Sequence, residues 1–138
     1  MIIDTSALLA ILFDEPDGPV LLQLVVEAPT RLMSAANAVE AWIVADRHAN
    51  PAKAPALDEL IEAVGIDIEP VTVSQARLAR EAYKTYGKGN HPAGLNYGDC
   101  FAYALAKATG QPLLFKGEDF SQTDIKAVLR NGKVKEQN

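Results

Sequence analysis

Four short apolar runs are each separated from the next by two segments of helical character. The runs are Met1–Ile3, Arg31–Ser34, Ile66–Val71 and Pro112–Phe115. Such short runs suit strands buried on both faces. Between them, Ser6–Phe13, Ala35–His48 and Leu57–Val64 carry apolar residues on related turns, and Pro19 is placed to open Val20–Glu27. Ser74 is a candidate N-cap for Gln75–Tyr86, and Asn96 for Tyr97–Thr109, with Gly110 as its terminator. Strands separated by helices need crossover connections. The expected fold is therefore α/β, with a mostly parallel sheet covered by helices on both faces.

The 138 residues are 49% hydrophobic, which suits one domain with one core and argues against disorder. Residues 1–138 are read as a single domain, with a polar tail at 131–138 expected to fray. The one cysteine, Cys100, excludes a disulfide within the chain and points to a reducing compartment. A cysteine-ligated zinc site is not expected, and His48 and His91 have no ligand-type spacing. No stretch approaches the ~20 apolar residues of a membrane helix. No Lys or Arg precedes the apolar run Ala7–Phe13, so a secretory signal is not expected either. A cytoplasmic location follows.

In an open parallel sheet the functional crevice lies beyond the carboxyl ends of the strands. Four acidic residues fall there. Asp4 ends the first strand, and Glu40 lies about one turn into the helix after the second. Asp99 is in the first turn of the helix after the Gly-rich loop, and Asp119 follows the last strand beside Glu118. Each alone has an ordinary explanation as a cap, a solvated helix residue or a turn residue. Together they repel one another, and a hard divalent cation reverses that cost. Mg²⁺, or Mn²⁺, would suit such oxygen ligands and support phosphodiester hydrolysis without a nucleophilic Ser or Cys. The hydroxyls of Thr5 and Ser6 are placed to orient Asp4 or to hold a cation-bound water, and Ser6 could also cap the first helix.

The loop Tyr86–Tyr97 combines Lys88 and His91 with two tyrosines and leads into Asp99. That mixture suits a single-stranded RNA backbone and an unstacked base; a plain Gly-rich connector is the alternative. Lys116 adds a cation after the last strand. His91 is a weak candidate for a general base. Cys100 is expected in the core, and Trp42 in the core or at an interface. The apolar stripes on Ser6–Phe13, Val20–Val26 and Ala35–Ile43 exceed what one small core plainly needs; a partner segment or a second copy of the chain could bury the excess, the alternative being that the helices pack only on their own sheet.

Several segments resemble the PIN domains, in particular VapC-type ribonuclease toxins of bacterial toxin–antitoxin pairs. Ile2-Ile3-Asp4-Thr5-Ser6-Ala7-Leu8-Leu9-Ala10 is similar to the opening signature of that family. Ala38-Val39-Glu40 resembles its second acidic position, and Leu95–Ala106, with Asp99, its third. Pro112–Phe120 resembles its closing strand and Asp-Phe pair. The resemblance implies a three-layer α/β/α domain with a mostly parallel sheet of four to five strands. It implies a metal-dependent endoribonuclease with Asp4, Glu40 and Asp99 around Mg²⁺, an RNA substrate, a cognate VapB-like antitoxin and a homodimer. A fourth acidic residue or Asn commonly follows the last strand in the family. Gly117 aligns best with it here, so Glu118 or Asp119 would have to substitute.

Two other functions compete. A phosphohydrolase with an aspartyl nucleophile needs a second Asp two residues after the first, where Ser6 stands. A non-catalytic, metal-binding regulatory α/β module is the other. The net charge of −5 at first opposes a nucleic-acid partner. Residues 1–83 hold 5 Lys+Arg against 13 Asp+Glu, a balance of −8, whereas residues 84–138 hold 8 against 5, a balance of +3. The basic part contains the loop before Asp99 and the segment around Lys116, and a bound ion would offset part of the acidic half.

Overall fold

The computed structural model describes residues 1–136. Strand β1 (Ile2–Ile3) is followed by helices α1 (Thr5–Leu12) and α2 (Gly18–Glu27). Strand β2 (Leu32–Ser34) precedes α3 (Ala35–Asp46) and α4 (Lys53–Val64). Strand β3 (Asp67–Glu69) precedes α5 (Val73–Tyr86) and α6 (Tyr97–Thr109). Then come β4 (Leu113–Leu114), a 3-10 turn (Asp119–Gln122), β5 (Ala127–Val128) and β6 (Val134–Lys135). The expected α/β order holds.

The sheet order is β3-β2-β1-β4-β5-β6. All neighbours pair in parallel except β5 and β6. The sheet has six strands rather than four to five. The extra ones are two-residue strands with no alternating pattern in the sequence. Part of the tail expected to fray is ordered: Val128 pairs with Val134, and Ala127 with Lys135. Residues 137 and 138 lie outside the described residues.

Even the shortest strands supply both cores, because successive side chains point to opposite faces. Ile3, Met33 and Leu114 pack with α1, α2, α3 and Leu57 of α4. Ile2 and Leu113 pack with α5 and α6 on the other face. Cys100 is buried in this second core, as expected. Trp42 packs at the margin of the first, with its indole N–H donating to Asp58 at 3.0 Å. Some apolar positions of those stripes stay uncovered by the chain's own sheet and helices. Val26 is 54% exposed, Val39 50% and Ile43 51%.

The topology positions the site. Chain order runs outward from β1 through β2 to β3, then returns across the sheet to β4 on the other side of β1. The direction therefore reverses between β1 and β4, where an open α/β sheet forms its crevice. Helices α3 and α6 both start at the carboxyl edge, because each runs back against the strands.

Candidate active site

Asp4 leaves β1 and becomes the N-cap of α1. Its Oδ2 accepts from the backbone N–H of Ser6 at 3.0 Å and from the Ser6 hydroxyl at 2.6 Å. The cap is thus Asp4 rather than Ser6, and Ser6 orients the carboxylate. The Ser6 hydroxyl also accepts from the backbone N–H of Lys116 at 2.9 Å, which ties the segment after β4 to the same carboxylate. Asp4 is 4% exposed. Burial pushes its carboxyl up to about 6, against the pull of the two Ser6 hydrogen bonds, and the Glu40 charge adds to the rise.

Glu40 lies in the second turn of α3. Its Oε1 accepts from the Thr5 hydroxyl at 2.6 Å and, more weakly, from the Asn37 amide at 3.4 Å. Thr5 therefore serves Glu40 rather than Asp4. Its hydroxyl also lies 3.2 Å from the Asn37 carbonyl.

Asp99 is the N3 residue of α6 and completes a capping box with Asn96. Asn96 Oδ1 accepts from the Asp99 N–H at 2.9 Å, and Asp99 Oδ2 accepts from the Asn96 N–H at 3.0 Å. Burial pushes the Asp99 carboxyl up to about 7; the Asn96 N–H opposes the rise, and the charges of Asp4, Asp119 and Glu40 add to it. Four carboxylates far apart in sequence thus share one electrostatic neighbourhood. Asn96→Ala is expected to lower stability by about 1 kcal/mol through the lost cap, measurable by urea unfolding.

Asp119 opens the 3-10 turn on the exposed rim. Glu118 accepts from the Ser121 hydroxyl at 3.1 Å and faces its own turn. Gly117 has φ 97°, a left-handed turn position that suits glycine. The Lys116 ammonium pairs with Glu15 and with Asp17. His91 Nδ1 accepts from the Ala93 N–H at 3.0 Å, and its ring meets Tyr86 edge-on. Lys88 is exposed, and its N–H donates to the Leu95 carbonyl at 2.9 Å. A bridge between Gly87 and Leu95 closes the loop at its base.

On each of the three inner carboxylates the donors converge on one oxygen. The other oxygen takes no side-chain donor among the described residues. Among those residues no three His, Cys, Asp or Glu side chains already converge with the spacing of a metal cage. A cage is not what Mg²⁺ requires, since it keeps several waters and takes one or two carboxylates directly. Hard oxygen donors in a cluster of mutually repelling carboxylates fit such an ion. One residue that the sequence did not single out belongs here. Asn37 is fully buried and donates to the Gly98 carbonyl at 2.9 Å, next to Asp99. Nothing in a single sequence separates it from an exposed helical Asn.

The PIN domain profile matches residues 1–126. Ribonuclease VapC of Mycolicibacterium smegmatis is 52% identical over 128 residues, 93% of this chain and 99% of that protein. The fold is similar to Mycobacterium tuberculosis VapC20, a sarcin-ricin loop cleaving toxin, with a TM-score of 0.73 and 17% identity over 90% of this chain and 95% of that one. It is also similar to a chain of a toxin–antitoxin complex from Klebsiella pneumoniae, with a TM-score of 0.64 and 18% identity over 88% and 90% of the two chains. By profile and by close relatives, the chain belongs to the PIN domain family and, within it, to the VapC ribonucleases.

Proposed function

We propose that the chain is a Mg²⁺-dependent endoribonuclease acting as the toxin of a VapBC-type pair, with Asp4, Glu40 and Asp99 as its metal-holding carboxylates. The carrying observation is the Asp99 carboxyl at the carboxyl edge of the sheet, raised by burial and by the charges of Asp4, Asp119 and Glu40. Mn²⁺ would serve the same ligands. When bound, the ion supplies an activated water and neutralises the charge on the leaving oxygen. The protein's own part is positional. Ser6 orients Asp4, Thr5 orients Glu40, and Asn96 orients Asp99. Asp119, exposed on the rim, would serve as a supplementary acid.

RNA approaches over the loop before α6, where Lys88 offers positive charge, His91 a ring N–H donor and Tyr97, 78% exposed, a stacking face. Lys116, already paired with Glu15 and Asp17, reaches the backbone only by exchanging those partners. The uncovered apolar residues of α2 and α3 support a homodimer and an antitoxin segment as their cover. The RNA it cuts is read as cytoplasmic; no helix among the described residues is long and apolar enough to cross a membrane. Membership of the VapC ribonucleases favours this reading over the aspartyl phosphohydrolase and the regulatory module.

The test is incubation of purified protein with total RNA and Mg²⁺, followed by sequencing of the new ends. Discrete cuts that vanish with EDTA are expected. Cuts that persist unchanged in EDTA would contradict the proposal. Expression should arrest growth, and a co-expressed antitoxin should relieve the arrest by placing an Arg or Lys against Asp4 and Asp99. A complex that leaves both carboxylates untouched would contradict that part.

A further inference from the structure

We propose that Asn37 and Gly98 form a fitted seat that sets the position of the Glu40 carboxylate against α6, making Asn37 a positioning residue for metal binding. This rests on the reading of Glu40 as part of the metal site. Two independent observations carry it. The first is steric. A Cβ placed on Gly98 would overlap Glu40 Oε2 and lie 2.8 Å from Cδ and 2.9 Å from Oε1. Glycine leaves room there for the Glu40 carboxylate and is not called for by backbone conformation, since Gly98 is not among the positive-φ glycines. The Glu40 carboxylate thus lies against the bare backbone one residue before Asp99.

The second observation is polar. Asn37 sits one helical turn before Glu40, is 0% exposed, and spans from α3 to α6. Its amide donates to the Gly98 carbonyl at 2.9 Å and lies 3.4 Å from Glu40 Oε1. The Asn37 Oδ1 has no partner among the described residues. Both hydrogen bonds of the amide are thus made by its donor side. The bond to the Gly98 carbonyl links α3 to α6 beside Asp99. Thr5 closes the seat from α1 by donating to Oε1. Glu40 is thereby held on three sides, and its Oε2 remains the atom pressed toward Gly98.

The seat predicts a specific pattern of substitutions. Gly98→Ala pushes the Glu40 carboxylate aside at little cost to the fold, because the displaced atoms end a flexible side chain. Groups that orient metal ligands typically carry about 10–100-fold in metal affinity. Glu40→Asp withdraws the carboxylate by one methylene and removes the overlap. Gly98→Ala should therefore cost less in the Glu40→Asp background than in the native one, a coupling expected only of groups in contact.

The experiment is Mn²⁺ titration of the full chain, followed by electron paramagnetic resonance, with thermal unfolding in EDTA as the check on folding. Gly98→Ala and Asn37→Ala are expected to weaken Mn²⁺ binding about tenfold or more, with Gly98→Ala unfolding near the native temperature. The double variant Gly98→Ala/Glu40→Asp should bind no more weakly than Glu40→Asp alone. Native Mn²⁺ affinity in Gly98→Ala, while Glu40→Gln binds weakly, would overturn the seat and leave Glu40 as a ligand. Native affinity in Glu40→Gln would overturn the reading of Glu40 itself, and the seat with it. Fully additive losses in the double variant would also overturn the seat.

Discussion

Asp4→Asn is expected to lower RNA cleavage about a thousandfold or more while leaving the fold in place. Asparagine has the same shape and is as good an N-cap as aspartate. Its side-chain oxygen still accepts from the Ser6 N–H and hydroxyl, which now meet Asp4 Oδ2 at 3.0 and 2.6 Å. The start of α1 and the link through Ser6 to Lys116 therefore survive. What disappears is the negative charge at the end of β1, the charge a cation needs there. Asp4→Ala would confuse the two roles, because it removes the cap and leaves a cavity at a 4% exposed position. The measurement is the cleavage rate with saturating Mg²⁺ beside far-ultraviolet circular dichroism. Activity within tenfold of the native rate, with normal dichroism, would remove Asp4 from the reaction.

The places of Asp4 and Asp99 at the starts of two helices were readable from the sequence because each stands at a junction with its own local signal. Asp4 follows two buried isoleucines, and a charge there needs a partner. Asp99 follows Asn96, a strong N-cap, and α6 spans Tyr97–Thr109 as its cap residues indicate, closing at Gly110 with φ 69°. Other boundaries moved for identifiable reasons. Helix α4 starts at Lys53, not Leu57, because Pro55 falls in the first turn, where its missing N–H would have had no helical partner. Helix α5 starts at Val73 because Thr72, not Ser74, accepts the capping bond from Gln75. Two suitable hydroxyl residues two positions apart cannot be ranked by sequence pattern.

Pairings between distant residues were the least readable. Thr5 looked like a neighbour of Asp4, yet its hydroxyl turns to Glu40, 35 residues away. Lys116 looked free to meet RNA, yet Glu15 and Asp17 hold it. Asn37 gave no sign at all, since its role depends on Gly98, 61 residues on. Charge and residue type are local properties and survive in one dimension. Which acceptor a donor meets depends on helix packing, which a single sequence does not encode by pattern.

The metal-free protein is expected to lose stability as pH rises from about 4 to about 8, and Mg²⁺ is expected to reverse the loss. Asp4 and Asp99 ordinarily titrate at 3.8, but in the fold burial raises them to about 6 and about 7. Between those values the native state keeps protons that the unfolded chain has released. Stability then falls with pH, because the unfolded state binds fewer protons than the native state. Asp4 alone accounts for about 3 kcal/mol of that fall. Asp17 and Asp124 act in the opposite sense, since their cationic partners lower their titration. Their stabilisation is lost only as pH drops below about 4, so the two effects occupy separate ranges. Mg²⁺ requires the deprotonated carboxylates, so its stabilisation grows over the same range in which the metal-free fold weakens. Urea unfolding in EDTA at pH 5 and pH 8, then with Mg²⁺ at pH 8, measures this directly. Greater metal-free stability at pH 8 than at pH 5 would contradict it. Asp4→Asn should flatten the slope in EDTA and shrink the Mg²⁺ effect, because the charge that destabilises the empty site is the charge that binds the ion.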